Sequence, residues 1–255
     1  MIANYHTHTM RCNHAKGSEE EYIQAALAAG LKELGFSDHT PQPFKDGYYS
    51  KMRMRPELLP GYVQTLQALK EKYAGEIRLY IGLETEYYPA HFEELLEWVR
   101  NAGIEYMILG QHWPGNEQGE RHAYHAFEDY AQLVRIVDQM VEAMYTGVFT
   151  YVAHPDIPHF TGDDRLYRQQ MRRVVQAANR CGLPLEINLH GLRSGYNYPD
   201  ERFWEMAAEE GSRVVLGRDA HKPGEFLEQE TETQMLDMVR RLGLNLLETV
   251  ELRKP

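Results

Sequence analysis

The chain of 255 residues has few cysteines, no long apolar segment and no excess of basic residues. Its two cysteines, Cys12 and Cys181, exclude a disulfide scaffold and are typical of a protein from a reducing compartment. No run of residues approaches the roughly 20 apolar positions of a membrane span. The first residues also lack the basic and apolar regions of a signal peptide. We therefore expect a cytoplasmic protein without a membrane partner.

The charge balance is acidic, with 27 Lys and Arg against 38 Asp and Glu and a formal net charge of −11. This balance argues against a nucleic-acid partner, because phosphate backbones are bound by basic surfaces. It leaves open a small anionic substrate that is held by a few local cations or by metals. The composition is that of a globular protein, and it does not indicate an oligomeric state.

Short apolar runs alternate with longer amphipathic segments along the chain. Runs rich in Val, Ile, Leu and Tyr predict strands at 2–6, 31–37, 77–83, 105–110, 150–153, 183–188 and 213–217. Helical periodicity predicts helices at 19–29, 57–73, 90–101, 128–145, 164–180, 199–210 and 228–242. Ser18 and Glu21 form a capping box in front of the first of these helices.

This succession of strand and helix predicts a parallel sheet with right-handed crossovers. Seven such units in a chain of this length indicate a TIM-like barrel, and an open doubly wound sheet is the alternative. No linker rich in Pro, Ser or Gly divides the chain, so we expect a single domain over residues 1–255. The Pro- and Tyr-rich connection 40–55 is expected to cover one end of the barrel.

The chain contains 12 histidines, and most of them follow predicted strands. The carboxyl ends of the strands form one rim in an α/β barrel, and active sites lie at that rim. We therefore expect nine side chains around one opening: His6, His8, His14, His39, Glu84, His112, His154, Asp219 and His221. The remaining histidines are expected to be ordinary hydrogen-bonded residues, although two of them, His159 and His190, lie near the rim.

Bound divalent metals explain such a cluster. Without metals, neighbouring imidazoles would lack hydrogen-bond partners and would repel one another when protonated. Imidazole nitrogens and carboxylate oxygens are ligands of Zn, Mn and Fe, and nine of them are too many for one ion. Two or three ions are therefore expected, and clustered ions of this kind activate water and clamp a phosphoryl group. Cys12 has no CxxC partner, so we expect it to be a bystander thiol.

The ordered motifs resemble those of the PHP (polymerase and histidinol phosphatase) superfamily. The resemblance is carried by His6-Thr7-His8-Thr9 with His14, Ser37-Asp38-His39, Glu84, His112, His154-Pro155 and Asp219-Ala220-His221. It implies a distorted (β/α)7 barrel with a trinuclear metal centre in one phosphoesterase domain. Position by position, it makes the nine rim residues metal ligands, with Glu84 as the residue that bridges two ions.

Within this superfamily the chain is most similar to the monofunctional histidinol-phosphate phosphatases. The similar segments are 12–17, 37–41, 52–55, 82–86 and 191–193. Arg193 stands where that family has a phosphate-binding arginine. The chain departs from the family at Asn188-Leu189-His190, where Asn-Thr-Ser or Asn-Thr-Ala is more usual, and at Arg218, where Ser is usual. These departures concern the substrate and not the metal centre.

The resemblance implies hydrolysis of L-histidinol phosphate by a metal-bridging hydroxide. The predicted catalytic residues are Arg193, Glu84 and Asp38. Arg193 would neutralise phosphate oxygens, while Asp38 would either donate a proton or orient a ligand histidine. The predicted substrate contacts are Arg193, Arg218, Arg53 and His190, and His190 is a second candidate proton donor.

Two other functions remain open at this point. A phosphoesterase of the same fold would act on another small phosphate monoester, such as a nucleotide or a sugar phosphate. A barrel that binds metals without catalysis would serve as a regulatory module. The complete set of predicted ligands together with Arg193 argues against the second of these alternatives.

Overall fold

Eight parallel strands form one sheet, in which each strand pairs with its neighbours in sequence order. The strands are β1 (Ala3–Asn4), β2 (Glu33–His39), β3 (Arg78–Thr85), β4 (Tyr106–Leu109), β5 (Phe149–Val152), β6 (Leu185–Asn188), β7 (Arg213–Gly217) and β8 (Asn245–Leu246). The helices are α1 (Glu19–Ala28), α2 (Leu59–Lys72), α3 (Phe92–Ala102), α4 (Tyr130–Tyr145), α5 (Asp164–Cys181), α6 (Leu189–Ser194), α7 (Glu201–Glu209) and α8 (Glu230–Leu242). This computed structural model describes all residues from 1 to 255.

The sheet closes into a barrel just beyond the carboxyl ends of β1 and β7. Thr7 forms a parallel bridge with Ala220, and the His8 N–H donates a hydrogen bond to the Ala220 carbonyl at 3.0 Å. At the opposite end of the barrel, β8 pairs with β7. Seven strands therefore surround the rim, which confirms the predicted seven-unit, TIM-like barrel and excludes the open doubly wound sheet.

All seven predicted strands and seven predicted helices are present, with ends shifted by at most about two residues. Two short elements, β8 and α6, were not predicted. A strand of two residues has no periodicity to detect. Helix α6 follows β6 without a connecting loop, with Asn188 as its N-cap accepting from the His190 N–H at 2.9 Å. Its six residues are fewer than the roughly eight that sequence signals reveal.

Tyrosines fill the barrel interior, which consists of Ala3, Tyr5, Tyr106, Ile108, Tyr151, Ala153 and Val215. Tyr106 points inward from β4 and donates its hydroxyl to the Tyr5 carbonyl at 2.7 Å. Its ring occupies the space beside Gly35 and Gly82, where a Cβ would overlap it. The Tyr5 hydroxyl donates to Glu33 Oε2 at 2.5 Å. The polar atoms of the interior are thus paired, as buried polar groups generally are.

A second and larger apolar core lies between the strands and the helices that surround them. The predicted capping box of α1 is confirmed, because Ser18 Oγ accepts from the Glu21 N–H at 3.3 Å and Glu21 Oε2 accepts from the Ser18 N–H at 2.6 Å. None of the helices combines the length and the apolar character needed to cross a bilayer. The remaining polar region of the fold is the carboxyl rim of the barrel.

Candidate active site

A cavity of about 660 Å³ opens at the carboxyl rim of the barrel. Seven of the nine predicted rim residues line it: His8, His14, His39, Glu84, His112, Asp219 and His221. The other two, His6 and His154, are buried at its floor in contact with Glu84. Lys51 and Met52 also line the cavity, so the connection 40–55 covers this end of the barrel as predicted.

Glu84 occupies the centre of the cluster. Its Oε1 lies 2.7 Å from His154 Nε2 and 3.3 Å from His112 Nε2. Its Oε2 lies 3.0 Å from His39 Nδ1 and 3.4 Å from His6 Nε2. The pairing of β2 with β3 places His39 directly beside Glu84 in register. The two oxygens of this carboxylate thus face different imidazoles.

Asp219 organises a second group of donor atoms next to the first. Its Oδ1 lies 3.0 Å from His8 Nε2 and 3.4 Å from His221 Nδ1. On the far side of His221, its Nε2 lies 3.0 Å from His14 Nε2. The rim residues that follow β1 and β7 therefore meet across the line where the barrel closes.

Several buried atoms of this cluster make no hydrogen bond of suitable geometry, even where two of them lie 3.0 Å apart. They include His6 Nε2, His8 Nε2, His39 Nδ1, Glu84 Oε2 and Asp219 Oδ1. Buried polar atoms without partners are rare because each costs free energy of desolvation. Donor atoms of His8, His39 and Glu84 lie within 4.8 Å of one another, and so do those of His6, His8 and Asp219. A divalent ion supplies the missing partner in such a group, so these residues fit a metal centre.

Two carboxylates behind the rim orient two of the rim histidines. Glu186 Oε1 lies 2.8 Å from His6 Nδ1, and Glu86 Oε1 lies 2.7 Å from His112 Nδ1. Because a carboxylate accepts hydrogen bonds, each Nδ1 carries the ring proton. Nε2 is therefore the ring nitrogen that faces Glu84 in both residues and the one that would ligate a metal.

Two glycines at strand ends make room for the buried carboxylates. Gly110 follows β4, and a Cβ there would overlap the carboxylate of Glu84. Gly217 ends β7, and a Cβ there would overlap the carboxylate of Glu186. At both positions glycine is needed because a larger residue would overlap the buried carboxylate.

Two of the rim residues adopt strained backbone conformations. His154 has a φ of +28° and Asp219 a φ of +48°, in the left-handed region that most side chains avoid. The His154 N–H donates to Glu186 Oε2 at 3.0 Å, and Asn188 Nδ2 donates to Asp219 Oδ2 at 3.2 Å. Such strain persists where neighbouring contacts impose it, and it concentrates at functional sites.

The charges of the cluster depend on one another. Burial alone would raise the pKa of Glu84, but the facing imidazoles of His39 and His112 hold that pKa well below its ordinary value. The pKa of Asp219 is also held well below its ordinary value, because His6 and other imidazoles outweigh the effect of burial. Burial lowers the pKa of His39. The two central carboxylates are thus held in the ionised form, which is the form that binds metals.

Arg193 lies beside the cavity, where it pairs with Glu225 at 3.4 Å and keeps two donors without a partner. It lies on α6, directly after β6, and its side chain lines the cavity. Its Nη2 donates to the Arg218 carbonyl at 2.9 Å, whereas its buried Nε and Nη1 have no partner. A guanidinium held in this way still has donors for the oxygens of a phosphate.

Arg53 and Arg218 do not line the cavity, and their predicted contact with substrate stays a prediction. Arg53 is 1% exposed and pairs with Glu86 and Glu117 behind His112. Arg218 is 2% exposed and pairs with Glu232 on α8. Each guanidinium turns toward a buried carboxylate, because a cation left unpaired in the interior would be costly.

Asp38 lies behind a ligand histidine and does not line the cavity. Its Oδ1 is 3.5 Å from His8 Nδ1 and accepts from the His39 N–H at 2.9 Å. Its Oδ2 accepts from the Thr9 hydroxyl. Of the two roles predicted for Asp38, this position fits the orienting role, and the role of proton donor stays a prediction.

His190 and Cys12 lie on the same side of the rim. His190 lines the cavity, with its ring centroid 4.9 Å from that of His221. Its predicted contact with substrate stays a prediction. The buried Cys12 Sγ donates to the Thr9 carbonyl at 3.1 Å, although it also lies within ligating reach of His8 and His221.

Sequence reasoning missed the aromatic residues of the cavity, which are His122, Tyr124, Tyr196 and Tyr198. Their segments carry no periodic pattern, and long-range contacts position them. For example, His159 Nδ1 lies 3.1 Å from the Tyr124 carbonyl oxygen. No local signal reveals such a contact, so His122 looked like an ordinary surface histidine.

Known proteins resemble this chain in sequence and in fold. The family model described as PHP domain matches residues 4–190. The probable histidinol-phosphatase of Deinococcus radiodurans is 36% identical over 234 residues, which is 88% of each chain. The histidinol-phosphatase of Bacillus subtilis is 22% identical over 250 residues, covering 86% of this chain and 93% of that protein.

The fold is shared with a protein of known structure. The crystal structure of histidinol phosphate phosphatase from Lactococcus lactis, complexed with Zn, L-histidinol and phosphate, superposes with a TM-score of 0.75 at 17% identity. The superposition covers 98% of this chain and 97% of that one. With the family model matched over residues 4–190 and a relative 36% identical along most of its length, this chain belongs to the PHP domain family.

Proposed function

We propose that this chain is a metal-dependent phosphomonoesterase that hydrolyses L-histidinol phosphate to L-histidinol and phosphate, a step of histidine biosynthesis. One observation carries the proposal. Buried imidazole and carboxylate atoms without partners converge in one cavity with the free donors of Arg193. The similarity to proteins named histidinol-phosphatase along most of the chain supports the choice of substrate.

The metal centre belongs to this proposal. Two or three ions of Zn, Mn or Fe would be held by His6, His8, His14, His39, Glu84, His112, His154, Asp219 and His221. The mixed imidazole and carboxylate donor set suits all three metals. When bound, such ions lower the pKa of water towards neutrality and withdraw charge from phosphoryl oxygens.

The protein groups contribute position and charge. Arg193 would bind the phosphoryl group through Nε and Nη1, and it would stabilise the charge that develops on the equatorial oxygens. Its Nη2 is already fixed on the Arg218 carbonyl, so the guanidinium needs little reorganisation when substrate arrives. Asp38 and Glu186 would act indirectly, by holding His8 and His6 in orientation.

The partner that we propose is a small phosphorylated compound. The net charge of −11 does not oppose this, because bound divalent ions and Arg193 would make the rim locally positive. The cytoplasmic location and the exclusion of nucleic acid remain predictions from composition.

A panel of phosphate monoesters tests the substrate. Metal-reconstituted protein should hydrolyse L-histidinol phosphate with a kcat/KM well above those for nucleotide and sugar phosphates. Equal values across the panel would identify the chain as a general phosphoesterase and contradict the named substrate. Metal analysis of the same preparation should find at least two ions per chain, and activity should disappear on chelation and return on reloading.

Substitution of Arg193 tests the phosphate site separately from the metals. Arg193→Ala should lower kcat/KM by about 10³-fold while metal content stays unchanged, because the guanidinium acts on the phosphoryl group alone. Arg240→Ala, at an exposed position of α8, is the matched control and should retain full activity. A loss below roughly tenfold for Arg193→Ala would contradict its phosphate role.

A further inference from the structure

One side of the cavity is a continuous aromatic surface, which we call the aromatic wall: His122, Tyr124, Tyr196 and Tyr198. The His122 and Tyr124 rings have centroids 4.2 Å apart. Tyr124 and Tyr196 are stacked, with centroids 4.8 Å apart and an angle of 13° between the planes. Tyr196 and Tyr198 follow at 5.9 Å. The four rings come from two separate segments of the chain.

Both ends of the aromatic wall reach the proposed metal ligands. The His122 ring lies 5.2 Å from the ring of His112, and the Tyr198 ring lies 6.0 Å from the ring of His154. These are the two histidines that face Glu84 Oε1. A phosphoryl group at the metal centre therefore has the wall beside it.

The aromatic wall is built to hold its shape. Tyr198 packs against Gly191 of α6, where a Cβ would overlap the tyrosine ring and its carbonyl. The neighbouring Asn197 donates to the Ile157 carbonyl at 3.1 Å. The Tyr196 N–H donates to the Gly191 carbonyl at 2.9 Å. The segment that carries the two tyrosines is thus fixed from both sides before any ligand binds.

Tyr196 differs from its neighbours because it is open to solvent. It is 41% exposed, whereas Tyr198 is 4% exposed. An aromatic ring left exposed beside a functional cavity is typical of a ligand-binding surface. The cavity of about 660 Å³ is also larger than an inorganic phosphate requires, so it has room for the organic part of an ester.

We propose that the aromatic wall is the surface that determines specificity for the leaving group, and that it selects a planar ring bearing a nearby cation. Aromatic faces bind planar rings by stacking and bind ammonium groups by cation–π attraction. The imidazole and ammonium of L-histidinol combine both features, so the identity of the ester rests on the proposed function. The wall's preference for planar over aliphatic leaving groups does not depend on that identity.

Substitution of Tyr196 tests the proposal, because this exposed ring can be removed without opening the core. Tyr196→Ala should lower kcat/KM for L-histidinol phosphate about tenfold, mainly through a higher KM, since the ring binds the substrate and its transition state alike. Glycerol 3-phosphate has no ring, and its kcat/KM should change less than about twofold. Calorimetry should show a parallel loss of affinity for L-histidinol itself.

Two further variants provide controls. Tyr196→Phe keeps the ring and should behave like the unmodified protein. Tyr145→Ala removes a tyrosine that is 58% exposed at the end of α4, outside the cavity, and should change neither substrate. An equal loss on the ring-containing and aliphatic esters with Tyr196→Ala, or no loss on either, would overturn the proposal.

A third ester separates this proposal from the proposed function. If the unmodified protein does not prefer L-histidinol phosphate, the proposed function fails. In that case, the aromatic wall is tested by comparing kcat/KM for p-nitrophenyl phosphate with kcat/KM for glycerol 3-phosphate. A loss with Tyr196→Ala confined to the aromatic ester supports the wall, and an equal loss on both esters overturns it.

Discussion

The barrel interior and the carboxyl rim bury polar groups in opposite ways. In the interior, the Tyr106 hydroxyl is bonded to the Tyr5 carbonyl and the Tyr5 hydroxyl to Glu33. At the rim, His39 Nδ1 and Glu84 Oε2 are equally buried and lie 3.0 Å apart, yet neither makes a hydrogen bond of suitable geometry. The same strands supply both regions, so the difference does not arise from the fold. The unpaired polar atoms indicate that the rim binds a group that is not part of the protein.

Without bound metal, the buried polar atoms of the rim lower the stability of the protein, whereas those of the interior are stabilised by hydrogen bonds. Each unpaired buried polar atom costs on the order of 1–3 kcal/mol, and the strained backbones of His154 and Asp219 add to this cost. Bound ions would recover that free energy. Substitutions in the two regions should therefore affect different measurements: metal content and activity at the rim, and thermal stability in the interior.

The largest effect is expected for Glu84→Gln at the rim. The amide keeps the shape of the side chain but loses its charge and one of its two oxygen donors. Metal content should fall and kcat/KM should drop by about 10³-fold or more, as measured by elemental analysis and steady-state kinetics. Glu33→Gln, the buried carboxylate that accepts from Tyr5, should leave metal content unchanged. Full metal content in the Glu84→Gln variant would contradict the central role of this carboxylate.

Gly110→Ala should displace Glu84 without changing its chemistry. The added methyl group overlaps the carboxylate, so Glu84 must move away from the imidazoles that it faces. We expect kcat/KM to fall by about 10²-fold, because misplacement by roughly 1 Å has effects of that size. Gly61→Ala is the matched control: this residue lies in α2 with open space beside it, and the change should be neutral or slightly stabilising. Unchanged activity for Gly110→Ala would show that the rim tolerates the shift.

Glu86→Gln should weaken metal binding more moderately. Glu86 links Arg53 to His112, accepting from both, and the amide would lose the ion pair while keeping a hydrogen bond to the imidazole. The affinity for metal, measured by competition with a chelator, should fall about tenfold. Glu105→Gln, which lies far from the rim and pairs with Lys70, serves as the control. If both variants bind metal equally well, the link from Arg53 to His112 has no influence on the metal centre.

The smallest effect is expected for Tyr106→Phe in the interior. Removal of the hydroxyl eliminates the hydrogen bonds that it donates to the carbonyls of Tyr5 and Phe36. The free energy of unfolding should fall by about 1 kcal/mol in a denaturant titration. Metal content and KM should not change. A loss of metal in this variant would show that the interior and the rim are energetically coupled.

The sequence predicts the strands, the main helices and the nine rim residues, because each depends on local information. Strand ends such as Gly82-Leu83-Glu84 are visible in the pattern, and parallel strands bring their carboxyl ends together wherever the connections run. The direction in which a long side chain turns is not local. Arg53 and Arg218 lie next to rim motifs in sequence, yet each pairs with a carboxylate from a distant segment.

The aromatic residues of the cavity illustrate the same limit. His122 lies in the connection between β4 and α4, and the pairing of Phe127 with Phe160 helps to set the path of that connection. Tyr198 depends on Gly191 for the space it occupies. Because His122 and Tyr124 lie in an irregular segment, the sequence pattern does not predict where they lie in the fold. Only the structure shows that they line the cavity.

The closure of the barrel has a consequence for how the protein matures. The strand pair that closes the ring joins His8 to Ala220, near opposite ends of the chain, and the Lys16 N–H donates to the His221 carbonyl at 2.8 Å. Metal ions held by His8 on one side and by Asp219 and His221 on the other would act as a cross-link between these ends. Such a link forms only after almost the whole chain has been synthesised, since loop closure over this span must precede it. Metal loading would then be a late step of folding, because a chain truncated before β7 lacks Asp219 and His221.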